Sequence, residues 1–174
     1  MQPTSATGLL VRAIEQMTQW SLLSDDIDSQ YYLYILHFIA ARDKFPRSAQ
    51  QAKQYIELCR RQARALQSKK SFEWWAAGGL RRPCPLVHHS ELGPWSREKD
   101  FFEGIEKLGR IEGRIDDIAS PQAGTIDIHG VPAFFAPRGQ FYRGRDLNIS
   151  VTCFLGFSYE GLRAWDVRLV PTKA

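Results

Sequence analysis

The last third of the chain, from Gly109 to Val170, constrains the fold most. Its apolar residues recur with the period of a strand, and Gly and Pro fall at the breaks. Ile111-Glu112-Gly113-Arg114-Ile115-Asp116 alternates. Gly124-Thr125-Ile126-Asp127-Ile128-His129-Gly130 alternates and turns, and Val131-Pro132-Ala133-Phe134-Phe135 follows at once. After a loop come Ile149-Ser150-Val151-Thr152-Cys153-Phe154-Leu155 and Ala164-Trp165-Asp166-Val167-Arg168-Leu169-Val170. Five short strands in about sixty residues are too few for a two-sheet sandwich and suit a small closed barrel.

The first seventy residues differ in character: their only glycine is Gly8. Leu10, Ile14 and Met17 mark a helix over Thr7 to Trp20, with Val11, Ala13 and Trp20 widening its apolar face. Ser24 to Ser29 offers N-caps. Gln30 to Arg42 is apolar on nearly every side and predicts a helix buried between neighbours. Ser48-Ala49-Gln50-Gln51 has the pattern of a capping box, and Ala52, Tyr55, Ile56, Cys59, Ala63 and Leu66 then mark one face of a long helix. Helical hairpins of this kind resemble tetratricopeptide units, although no repeat period aligns. Ser71 to Gly79 predicts a short helix ended by Gly78-Gly79. A connection with Pro83, Pro85 and Pro94 follows, and Ser96 could cap a last short helix through Asp100, with Phe101 and Phe102 leading into the barrel. The expected architecture is α+β: a helical, TPR-like segment over residues 1–80, a Pro/Trp-rich connector over 81–108, and a five-stranded OB-fold-like β-barrel over 109–174.

The net charge is +4. Between Arg42 and Arg82 eleven basic residues face only Asp43, Glu57 and Glu73, whereas acids and bases nearly balance from Phe101 onward. Any attraction for a polyanion therefore belongs mostly to the helical half. Cys59, Cys84 and Cys153 have no disulfide-framework spacing, which implies reduced thiols and a cytoplasmic or nuclear location. No apolar run is long enough to span a membrane, so no membrane partner is expected. The abrupt start and the lack of a recognisable catalytic domain suggest a piece of a longer protein, whose other domains would be partners.

In a strand, neighbouring side chains face opposite sides. Ala133 and Phe135 are therefore expected inside the barrel and Phe134 outside, where OB barrels place an aromatic that stacks on a base. The loop Arg138-Gly139-Gln140-Phe141-Tyr142-Arg143-Gly144-Arg145 adds Arg138, Arg143 and Arg145 with Phe141 and Tyr142, and contains no acid. Against this, strand 124–128 lacks stacking aromatics, and Asp127 would repel phosphate. Phe134 could equally be covered by the helical half, where Trp74, Trp75 and Trp95 need partners. Arg60, Arg61 and Arg64 could contact phosphates or simply form a solvated helix face. His88-His89 with Cys84 and Glu91 lacks the second ligand pair of a zinc site and the surroundings of a hydrolase. Asp25-Asp26-Asp28 lacks the Gly and distal Glu of a calcium loop. The glycines follow no nucleotide fingerprint and read as turns, bulges and close approaches. No catalytic residue, metal site or cofactor is expected.

Leu86-Val87-His88-His89-Ser90-Glu91-Leu92-Gly93-Pro94-Trp95, Gly113-Arg114-Ile115, Val131 to Pro137 and, most specifically, Phe154-Leu155-Gly156-Phe157-Ser158-Tyr159-Glu160-Gly161 resemble the C-terminal end of an antiviral family. That family is the sterile alpha motif domain-containing 9 and 9-like proteins and related STAND-type NTPases, in which a tetratricopeptide array precedes an OB-fold. The resemblance implies a role in innate immunity and autoregulation, and carries over no catalytic residue. The expected function is a noncatalytic C-terminal regulatory module that binds RNA or single strands through Phe134, Arg138, Phe141, Tyr142, Arg143 and Arg145, assisted by Arg60, Arg61 and Arg64. The alternative is a protein-interaction or autoinhibitory module that binds no nucleic acid.

Overall fold

A computed structural model of the chain describes residues 6–24, 26–65, 72–76, 83–88, 110–158 and 160–170. The chain divides into two compact units, one built on helices and one on strands. The expected helix at 96–100, the Gly78-Gly79 stop, Trp95, and the His89 and Glu91 positions lie outside the described residues.

The helical unit contains α1 (Ala6–Leu23), α2 (Ile27–Arg42) and α3 (Ser48–Ala65). α1 runs to Leu23, past the expected stop at Trp20, and presents its faces differently from expectation. Leu10, Ala13, Ile14 and Met17 are partly covered, while Val11 and Trp20 are exposed. Asp26 caps α2: its carboxylate accepts the Ser29 N–H at 2.7 Å and the hydroxyls of Ser29 and Ser24. These bonds, the Ser24 hydroxyl first, hold the Asp26 carboxyl below its usual pKa.

α2 packs against both other helices, so Tyr31, Leu33, Tyr34 and Phe38 are buried around its circumference. It ends in a Schellman turn. The Phe45 N–H donates to the Ala40 carbonyl and the Lys44 N–H to the Ala41 carbonyl, both at 3.0 Å. Lys44 occupies the left-handed position that usually selects glycine, at φ 60°. Ser48 is the first helical residue of α3 rather than the expected cap. The preceding residue, Arg47, is itself left-handed and accepts the Gln51 N–H at 3.0 Å. Ala52, Ile56 and Cys59 bury the α3 stripe as expected.

The strand unit is a closed five-stranded barrel. Its strands are β3 (Ile111–Ser120), β4 (Ala123–Ile128), β5 (Val131–Phe135), β6 (Ser150–Ser158) and β7 (Gly161–Leu169), with a one-turn helix α4 (Arg143–Asp146) between β5 and β6. β3 pairs with β4 and β6, β4 neighbours β5, β5 runs parallel to β7, and β7 closes antiparallel onto β6. This pairing scheme is that of an OB-fold-like barrel, as the strand pattern predicted. Ile115, Ile126, Ile128, Phe135 and Leu155 fill the interior. Two glycines let the sheet curve that tightly. A Cβ on Gly124 would lie 2.5 Å from the Phe135 ring and 2.8 Å from the Asp117 carbonyl; one on Gly113 would lie 2.5 Å from Ile126.

Two further strands were not expected. Residues 72–76, read from sequence as part of a helix, form β1 (Phe72–Ala76), and the connector contributes β2 (Pro83–His88). The reason is tertiary. β3 pairs with β6 only along Ser150–Cys153, which leaves Leu155–Phe157 open for β1 to pair antiparallel, and β2 pairs with β1. An aromatic-rich segment suits a strand as readily as a helix.

Candidate interaction face of the barrel

Phe134 emerges from β5 as the alternation requires. Ala133 and Phe135 are buried, and Phe134 is 38% exposed. Its cross-strand neighbour on β7 is Arg163, whose guanidinium lies 5.4 Å from the centre of the Phe134 ring. Arg163 also forms an ion pair with Glu160. The outward aromatic is therefore already stacked by a cation from its own sheet.

The loop after β5 differs from expectation at two residues. Phe141 is buried and meets Phe135 edge-on, ring centres 5.9 Å apart, so it is a core residue and offers no stacking face. Arg145 is matched by the acid that follows it. Asp146 is buried at 3% exposure, accepts the Tyr142 N–H at 2.7 Å, and takes Nε and Nη2 of Arg145 at 2.8 and 2.9 Å. This pairing holds the Asp146 carboxyl below its usual pKa. Arg145 also spans the Tyr142 ring, 5.1 Å from its centre. The acid-free run thus ends one residue too soon for its charge to remain unmatched. Arg143 is exposed, 4.0 Å from Asp117, and Arg138 is exposed in a left-handed turn at φ 49°.

A third arginine cluster was not anticipated. β7 bulges at Asp166, which takes φ 47° so that two residues oppose one on β6. Arg110 grips this bulge. Its Nη1 reaches the Asp166 carboxylate at 2.7 Å and its Nε the Thr152 hydroxyl at 3.0 Å. Nη2 donates to the Thr152 carbonyl at 2.9 Å and to the Asp166 carbonyl. The guanidinium lies 4.7 Å from the centre of the Phe154 ring, which packs on buried Trp165. Arg168 completes the group on the Asp166 carboxylate at 2.8 Å. Nothing in the local pattern around Arg110 marks it as a clamp; the contact spans fifty-six positions of chain to Asp166.

From 110 to 170 the sequence holds seven arginines (110, 114, 138, 143, 145, 163, 168), no lysine, and seven acids (112, 116, 117, 127, 146, 160, 166). Five of those arginines lie within 4.0 Å of a carboxylate. The turns that join β3 to β4 and β6 to β7 are tight. In OB barrels these are the two loops that usually wall a nucleic-acid groove.

On α3, Arg60 and Arg61 share Glu57 at 4.0 and 3.4 Å and are partly exposed and exposed, respectively; the side chain of Arg64 lies outside the described residues. Cys59 and Cys153 are free, buried thiols. Desolvation raises both pKa values, that of Cys153 to about 12, which leaves them unreactive. Among the described residues no group of three His, Cys, Asp or Glu side chains could hold a metal ion, and no helix is long and apolar enough to cross a membrane. No protein-family model, curated protein or solved structure matches the chain.

Proposed function

We propose that the chain is a noncatalytic interaction module whose barrel engages a protein partner, in the cytoplasmic, innate-immune setting that its sequence resembles. The observation that carries this reading is the internal matching of the barrel's charge. A surface that binds single strands presents a run of unmatched cations and successive stacking aromatics. Here five of the barrel's seven arginines lie against aspartates and glutamates, Phe141 is in the core, and Asp127 is exposed on β4. What remains outward is Phe134 under Arg163 and Tyr142 under Arg145. Aromatic and arginine side chains with little net charge are the residues that dominate protein–protein contacts.

The nucleic-acid reading keeps one supporting observation, the outward ring of Phe134. Affinity capture from nuclease-treated cell extract separates the two. A protein partner should be retained by the wild type and lost from a folded Phe134→Ala/Arg163→Ala variant. Retention that vanishes with nuclease, or survives the double substitution, would overturn the proposal.

A further inference from the structure

We propose that α1 is a self-association surface, pairing antiparallel with α1 of a second copy of this chain. Five residues of α1 form one narrow stripe on its outer side: Leu9, Arg12, Gln16, Trp20 and Leu23. All five are exposed, Trp20 to 60% and Leu23 to 87%. Their spacing of three, four, four and three residues keeps all five on one face of the helix, as in an eleven-residue repeat. The inward residues Leu10, Ile14 and Met17 lie on the other side of the helix, so the stripe plays no part in the packing of its own unit.

The stripe is complementary to itself when reversed. About a two-fold axis at Gln16, Leu9 meets Leu23 of the second copy and Arg12 meets Trp20. Gln16 meets Gln16, and two amides can each donate and accept. Arg12 over an indole face is a favourable cation–π pair. A parallel arrangement would instead stack Arg12 on Arg12, placing like charges in contact. A single helix seam is smaller than a standard protein interface, so the association is reversible and concentration-dependent.

Sedimentation velocity on the whole chain tests this from about 5 µM to about 500 µM, a range that spans weak association. The weight-average mass should climb from 19.9 kDa toward twice that value. Trp20→Glu and Leu23→Glu alter exposed side chains only. Each should keep its circular-dichroism spectrum and hold the mass at the monomer value throughout. Cysteine variants fix the orientation under mild oxidation, with the wild type as background. Gln16→Cys should cross-link to itself. Leu9→Cys and Leu23→Cys should cross-link when mixed but not alone, because antiparallel pairing leaves each about 21 Å from its own copy. A mass of 19.9 kDa at every concentration would overturn the proposal, leaving the stripe bare or for a different partner. Self-linking of Leu9→Cys alone would overturn it too.

Discussion

His37 and Arg110 stand for the two units of the molecule. His37 on α2 is 4% exposed and stacks on Tyr55 with the rings 8° from parallel. Its Nδ1, like Oε1 of Gln30, is buried without a hydrogen-bond partner among the described residues. Arg110 in the barrel is also largely covered, yet three of its nitrogens reach oxygens of Thr152 and Asp166. The helical unit tolerates a buried polar ring because imidazole can shed its charge. A guanidinium cannot, so the barrel can cover one only where acids and carbonyls surround it.

Breaking the clamp should have the largest effect. Arg110→Ala removes these bonds and leaves the Asp166 bulge with one guanidinium, at a cost of about 3 kcal/mol. Urea denaturation checks this. Arg110→Lys should recover only part of the loss, because an ammonium cannot reach both strands with one fork. An unchanged midpoint for the alanine variant would show the cluster to be incidental.

A smaller effect should appear on the helical side. Burial lowers the His37 pKa below its ordinary 6.5. Below that pH the unfolded chain binds the proton more readily than the folded one. The stability is therefore complete above it and lost as pH falls toward the depressed folded value. Asp26 works in a separate and lower window: its depressed pKa gives stability that is lost only as pH falls below the ordinary 3.8. Melting of the helical circular-dichroism signal from about pH 7.5 to about pH 5.5 should thus fall with acid, and His37→Phe should flatten the slope. An equal slope in both proteins would remove His37 from the account.

The same contrast explains what could be read from the sequence. Buried helix α2 and the barrel strands were legible because their patterns are local: ten apolar residues in the thirteen from Gln30 to Arg42 in one case, alternation in the other. The inside–outside assignment of Ala133, Phe134 and Phe135 followed from alternation alone. The β1–β2 hairpin was not legible, since its strand character comes from the open stretch of β6, more than seventy residues away. Phe141 was misplaced for a similar reason: only the fold brings it against Phe135. The Arg145–Asp146 pair was visible as adjacent letters. What could not be seen was that Asp146 is buried and aimed back at Tyr142, which turns a neighbouring acid into the partner of the loop's charge.

The barrel's charge is matched from within: five of its seven arginines lie within 4.0 Å of a carboxylate of the same chain. Fluorescence polarisation with mixed-sequence single-stranded RNA, titrated across salt concentrations, tests it most directly. Arg143→Ala/Arg145→Ala should behave like the wild type at every salt concentration, whether both bind through the basic helical half or neither binds. A double variant whose slope of log affinity against log salt is shallower by about 1.4, the share of two phosphate contacts, would contradict it.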